Sequence, residues 1–449
     1  MLRTTRPLAW QIAQLAWPVL IAQLASIGMM VADTVIVGRA GTEDLAAVAV
    51  GSGIYVSVAL ALAGVVQALA PVVAHLVGAQ KVDEIGPMVR QGVWLVLLLA
   101  VVGALVLHFP GPLLGWAELA PAIEAKARAY MNVLILALPA GLGYRAFAAV
   151  ANAVGRPKPL MVIALVETVS HALLAWLLVG GHLTGTPLGA VGAAISQTIC
   201  VWVALGASLL VMLKGEVYRP YNIFRRLEGI HWGRQGELLR LGVPMGFSYL
   251  VEISAFTLMA VFVARLGAET VAGHRIVANL SALTYMLPLS LAIATSALVG
   301  QAVGAQDETR ARRTAMAGLW LACGLSVLMG GALWLAREAV VAPVSSDPQV
   351  RAVAVALVIY IAVYQFCDAA QTIAAFALRG YKVTFVPLLM HITCFWGIGL
   401  GGGYWLAFHA PVPQGVAGFW QAAVAATVAA SVLLGGLLVM VIRSRRRSA

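Results

Sequence analysis

A hydrophobic segment from Val363 to Gly380, VYQFCDAAQTIAAFALRG, carries an aspartate, Asp368, near its middle. In a helix, Tyr364 one turn before it and Gln371 three residues after it fall on the same face as the carboxylate. An ionised group at the bilayer centre costs about 2.5 to 3.5 kcal/mol even on the lenient insertion scale, so that face belongs against a bundle interior or a watery cavity. Glu252 stands near the middle of another apolar run in the same half of the chain. Two carboxylates sharing a low-dielectric cavity repel one another, and the pair favours uptake of a proton or a cation. Tyr364 and Gln371 can add oxygen ligands to a cation held at Asp368.

Further residues carry chemistry of the same kind. Asp33 lies late in the first apolar run, among Met29, Met30 and Val37, with no basic residue one turn away. It reads as a proton- or drug-responsive carboxylate, with an interfacial acid near the outer mouth as the alternative. Glu167 and His171 are spaced for a hydrogen-bonded pair on one helix face, which suits a proton relay or a mutually satisfied polar contact. Tyr249, Tyr285 and Met286 can line a cavity for flat organic cations through cation–π and soft apolar contacts; the same stripe also fits plain core packing.

The elements that position these groups follow from composition. Of 449 residues, 61% are hydrophobic and 10% charged, far below the roughly 25% charge of soluble domains. Twelve apolar runs are long enough to span a bilayer about 30 Å thick as helices. The fold class is therefore an all-α polytopic membrane protein with twelve transmembrane helices. Pro18, Pro71, Pro139, Pro244 and Pro288 lie within the runs, so kinks are expected. The net charge of +11 sits in short loops and the C-terminal tail rather than on an aromatic-bearing soluble face, which argues against a nucleic-acid partner. The distribution of Lys and Arg places both termini in the cytoplasm. Cys200, Cys323, Cys367 and Cys394 show no metal or disulfide spacing and read as packing residues. The first apolar run is too long for a signal-peptide core and reads as a retained helix.

The chain also repeats itself. Leu15 and Pro18 match Leu241 and Pro244; Arg39, Gly41 and Glu43 match Arg265, Gly267 and Glu269; Gly78-Ala79-Gln80 matches Gly304-Ala305-Gln306, all at an offset of 226 residues. Gly189 and Gly192 match Gly415 and Gly418 at the same offset. A repeat of that length predicts two related six-helix bundles, residues 1–213 and 238–449, joined by a cytoplasmic linker, 214–237. Each bundle has an even number of spans, so both enter from one side and an axis along the membrane normal relates them. A transported ligand is expected between them. The repeat mate of Asp33 is Met259, so the two bundles are chemically unequal.

Four segments in register, ADTVIVGRAGTEDLAAVAVG (32–51), VPMGFSYLVE (243–252), CDAAQTIAAFALRGYK (367–382) and GVAGFWQA (415–422), together with the repeat itself, resemble the multidrug and toxic compound extrusion family, in its NorM-type bacterial branch. The resemblance covers nearly the whole chain. It implies two six-helix lobes around a V-shaped cavity, and export of small organic cations in exchange for Na⁺ or H⁺ from the bacterial inner membrane, with no other cofactor. The transport acids of that branch fall on Asp33, Glu252 and Asp368, with Tyr364 matching an aromatic beside the cation site. Na⁺ at Glu252 and Asp368 is what the resemblance favours, while Asp33, Glu167 and His171 leave room for H⁺. The chain departs from the pattern in the fifth helix, where His171 and Ala175 replace a pair of asparagines. A monomer in the lipid bilayer is the expected unit.

Other functions compete. A flippase for a lipid-linked saccharide would favour cationic residues in its cavity to meet phosphates, whereas the mid-span charges here are mostly acidic. An intramembrane aspartyl enzyme is compatible with the acid count, but duplicated halves serve alternating access better than one catalytic centre, and the mid-span residues show neither GxSxG nor HExxH. A passive channel would conduct without coupling to an opposing gradient.

Overall fold

A computed structural model describes residues 7–109, 120–225 and 228–448. Its described residues form twelve helices long and apolar enough to cross a membrane: α1 (Leu8–Ala40), α2 (Thr42–Gly78), α3 (Val82–His108), α4 (Pro121–Ala153), α5 (Lys158–Val179), α6 (Gly189–Lys214), α7 (Trp232–Leu266), α8 (Ala268–Gly304), α9 (Glu308–Leu335), α10 (Pro348–Gly380), α11 (Phe385–Phe408) and α12 (Val416–Arg445). The protein is an all-α, multi-pass membrane protein. Helices prevail because only they satisfy every backbone polar group inside lipid without a closed barrel.

Two interruptions have local causes. Proline has no amide hydrogen and its ring crowds the carbonyl four residues back; accordingly α2 breaks at Gln67 and Ala68, four and three residues before Pro71. In α11, residues Ile392–Gly402 wind as a π-helix. That stretch carries Gly397, Gly399, Gly401 and Gly402. A Cβ at Gly399 would stand 3.3 Å from the Ala426 side chain, so the missing side chain lets α11 and α12 approach closely.

The 226-residue repeat reappears in the backbone. Gln80 and its mate Gln306 both take left-handed conformations, φ 57° and 60°. Each closes its helix the same way: Gln80 N donates to Val77 O and Lys81 N to Leu76 O, while Gln306 N donates to Val303 O and Asp307 N to Ala302 O. This is a Schellman termination, which satisfies carbonyls left over at a helix end. Packing repeats too. A Cβ on Gly92 would strike Leu69 at 2.7 Å, and one on its mate Gly318 would strike Thr295, the mate of Leu69, at 2.4 Å.

Close contacts divide the chain into two compact units, residues 21–246 and residues 1–20 with 247–449. The boundaries fall inside α1 and α7 rather than in the 214–237 connection. In the first unit α4 packs on α2, α3 and α6; in the second α10 packs on α8, α9 and α12. Each unit is thus built around its fourth long helix, and those two helices carry Arg145 and Asp368 respectively.

The 214–237 connection is not a free tether. Arg90 of α3 is buried and donates to the carbonyls of Asn222 at 2.8 Å and Ile223 at 3.1 Å, and it pairs with Glu228. Gln91 beside it donates to Gly229 O at 2.9 Å and accepts from His231 N at 2.9 Å. Gly86 lies so close to the Tyr221 carbonyl oxygen that a Cβ would sit 2.0 Å away.

Candidate ion and substrate site

In the unit containing 247–449, α10 presents Asp368 at 2% exposure. Its Oδ1 accepts a 3.0 Å hydrogen bond from Gln371 Nε2, the contact that helical spacing anticipates. The same amide nitrogen also reaches Thr372 Oγ1 at 3.1 Å, and the Gln371 oxygen faces His391 Nε2 of α11 at 3.3 Å. Gln371 therefore turns its nitrogen, not its oxygen, toward Asp368, and it positions the carboxylate rather than extending a set of oxygen ligands. Glu252 of α7 has Asp368 and Arg379 as its electrostatic neighbours. Tyr364 is buried at 3% exposure, with Asp368, Glu252 and Tyr285 around it electrostatically. Phe256 and Trp420 wall its ring, at centroid distances of 6.1 and 6.3 Å.

No basic side chain forms an ion pair with Asp368 or Glu252 among the described residues. The basic group that acts on Glu252 is Arg379, eleven residues after Asp368 and so on the same helix face. It is 7% exposed, donates to Tyr249 Oη at 2.9 Å, and stacks over the rings of Tyr249 (4.9 Å) and Phe376 (4.0 Å). The guanidinium thus occupies the aromatic face that Tyr249 offers to a cation. Tyr285 and Met286 pack beside Tyr249 in one apolar cluster with Leu289, Ala292 and Phe376. Tyr285 also hydrogen-bonds Thr372.

In the unit 21–246, Asp33 and His171 meet. His171 is fully buried, and its Nε2 lies 2.8 Å from Asp33 Oδ1. Its Nδ1 lies 3.0 Å from Ser196 Oγ of α6. The hydrogen bonds of His171 run to α1 and α6, not to Glu167 one turn back on α5. Glu167 has Arg145 of α4 and His171 as electrostatic neighbours.

Spacing along one helix thus located Gln371 beside Asp368, but it missed partners on other helices. Arg379, His391, Ser196 and Arg145 all join these polar groups. Arg379 carried a signal, since eleven residues are close to three helical turns. Within the unit containing 247–449 the polar groups gather around Asp368, and within the unit 21–246 they gather around His171. The four cysteines are free thiols, two of them buried, as packing residues should be. Among the described residues no group of three or more His, Cys, Asp or Glu side chains is arranged to hold a metal ion.

Comparisons with known proteins agree across the chain. A profile of the MatE family matches residues 18–177 and 244–405, one match in each half. A protein of Aromatoleum aromaticum described as a probable multidrug resistance protein NorM is 53% identical over 431 residues, covering 95% of this chain and 93% of that protein. A Chromobacterium violaceum protein with the same description is 39% identical, covering 97% of this chain and 95% of that protein. Among solved structures, the Vibrio cholerae MATE transporter VcmN in its bent form superposes with a TM-score of 0.86 at 18% identity, covering 98% of each chain.

Proposed function

The chain belongs to the MatE family, whose members are transporters and not enzymes, and from that premise we propose that it exports organic cations from the bacterial cytoplasm by antiport with Na⁺ or H⁺. The observation that carries the reading is Asp368, a carboxylate at 2% exposure held by a neutral amide, with Glu252 as its electrostatic neighbour. An acid pair of which one member is buried and the other half-buried, without a bound basic partner, is costly until it takes up a positive ion. Na⁺, H⁺ and a cationic drug can each supply that charge, and mutually exclusive occupancy is the logical core of an antiporter. Glu252 and Asp368 bind the ion, with Tyr364 beside them; Tyr285 and Met286 provide the apolar and aromatic surface for the drug, to which Tyr249 adds its ring only when Arg379 leaves it. The names of the relatives, multidrug resistance proteins, support a broad set of organic substrates. The protein works as a monomer in the inner membrane, both termini in the cytoplasm, with lobes 1–213 and 238–449 exposing the acids alternately to the two sides.

Energetics limit the exchange. At about 100 mV, one charge moving inward releases about 2.3 kcal/mol, and expelling one monovalent cation consumes the same amount. One-for-one exchange is then driven by the chemical gradient alone. A tenfold gradient supplies about 1.4 kcal/mol and so about tenfold drug accumulation. The test is ethidium movement in proteoliposomes under an imposed Na⁺ gradient or an imposed pH gradient, each alone. Efflux in response to one of them is expected and names the ion. Silence to both, with folded protein, overturns the reading and leaves the lipid-linked saccharide flippase as the better assignment.

A further inference from the structure

Ser196 is the residue whose geometry is not explained by packing. Its Oγ stands 3.0 Å from His171 Nδ1 and also 3.0 Å from the carbonyl oxygen of His171. A hydroxyl has one hydrogen to give and lone pairs to receive. On the other side of the ring, an ionised Asp33 accepts only, so Nε2 carries a hydrogen toward Oδ1 at 2.8 Å. Two arrangements of the remaining hydrogens are complete. With the ring neutral, the Ser196 hydroxyl donates to bare Nδ1. With the ring charged, Nδ1–H donates to Oγ and the hydroxyl hydrogen turns to the His171 carbonyl. Neither state strands a buried nitrogen, although the ring is fully buried.

We propose that Asp33, His171 and Ser196 form one proton-binding site, in which His171 holds the proton and Ser196 is the positioning residue that makes both charge states satisfiable. The proton comes from water. An O–H bond of a hydronium ion breaks and leaves water, an N–H bond forms at Nδ1, and the Ser196 hydroxyl hydrogen rotates toward the His171 carbonyl. Asp33 is the outward member, its side chain 16% exposed against 0% for the ring. With the proton bound, a tethered imidazolium cancels the Asp33 charge; without it, the carboxylate is free to attract a cationic ligand. Proton and organic cation then exclude one another through His171, without the carboxylate itself being protonated.

Other groups face this site. Cys200 lies one turn after Ser196 and touches His171. Tyr130 of α4 neighbours Asp33. Glu167 lies one turn before His171, and Arg145 opposes it with the opposite charge. Of these, Cys200 also hydrogen-bonds the ring, but its thiol is a weak donor and acceptor beside the Ser196 hydroxyl.

The test has two readouts, and only the first rests on the efflux reading. Ethidium binding to purified protein in detergent is followed by fluorescence polarisation from about pH 5 to about pH 9. Wild type is expected to lose ethidium as pH falls, with the steepness of one proton. Ser196→Ala removes the acceptor for Nδ1–H, so that loss moves to lower pH by about one unit, a tenfold change. Ser196→Thr keeps the hydroxyl and restores the wild-type profile, and His171→Gln abolishes this step. A Ser196→Ala effect equal at every pH, with an unmoved midpoint, marks a merely structural serine and overturns the proposal. The second readout is the nitrogen chemical shifts of isotope-labelled histidine, with His171→Gln identifying the ring. Both nitrogens protonated at low pH and only Nε2 at high pH supports the site whether or not ethidium is a substrate. A ring that keeps one protonation state throughout overturns it.

Discussion

Replacing Asp368 by Asn separates the ion-binding role of this side chain from its place in the fold. The asparagine oxygen can still accept from Gln371 Nε2, which reaches Asp368 at 3.0 Å, so shape and hydrogen bond survive while the charge is lost. A hydrogen bond to a charged acceptor is worth about 1.5–3 kcal/mol and one to a neutral acceptor about 0.5–1.5, so the swap forfeits about 1 kcal/mol. Against this, an ionised carboxylate at mid-bilayer costs about 2.5–3.5 kcal/mol, part of which the neutral amide avoids. The variant should therefore be as stable as wild type or more so, by up to about 2 kcal/mol. Transport should change in the opposite sense: tenfold ethidium accumulation under a tenfold ion gradient falls to about unity. Thermal unfolding in detergent and ethidium flux in proteoliposomes, on the same preparation, check both halves. Full gradient-driven accumulation by Asp368→Asn, or a marked fall in unfolding temperature, refutes the reasoning.

Three other substitutions test separate parts of the account. Arg379→Gln removes the guanidinium from the Tyr249 and Phe376 rings; a cation–π contact of about 0.5–2 kcal/mol is thereby opened to the drug. Ethidium should bind roughly two- to thirtyfold more tightly, as read by fluorescence polarisation. Gly86→Ala puts a Cβ 2.0 Å from the Tyr221 carbonyl oxygen, so the connection after α6 must move. A destabilisation of about 1–3 kcal/mol and faster protease cleavage between Lys214 and Trp232 are expected. Gln306→Gly relieves a left-handed residue at φ 60° and should raise stability by about 1 kcal/mol in thermal unfolding.

The spans were legible because membrane helices demand long apolar runs, and the repeat because matched glycines survive wherever two helices approach closely. Gly92 on Leu69 and Gly318 on Thr295 are that constraint seen twice. Within one helix, side-chain neighbours follow from a period of 3.6, which is why Gln371 stood out beside Asp368. The same rule gave Glu167 as the partner of His171, but two residues one turn apart need not turn toward one another. The partner that His171 takes, Asp33, is 138 residues away on another helix, and no local spacing marks it. Arg379 ends a span, and its spacing from Asp368 does not tell that its long side chain folds back over Tyr249 and Phe376. The packing of α1 and α7 into both compact units was also hidden, since the repeat marks sequence halves rather than contacts.

The central claim, that ion and organic cation are exchanged through the same acids, is tested most directly by running the exchange backward. Coupling is reciprocal, so a drug gradient must drive the ion. Proteoliposomes loaded with ethidium and diluted into ethidium-free buffer, with Na⁺ and pH equal on both sides, are monitored for inward movement of labelled Na⁺ and for lumenal acidification. Ion accumulation above its starting level, lost in Asp368→Asn, is the predicted result. Ethidium leaving at the same rate with no uphill movement of either ion would contradict antiport.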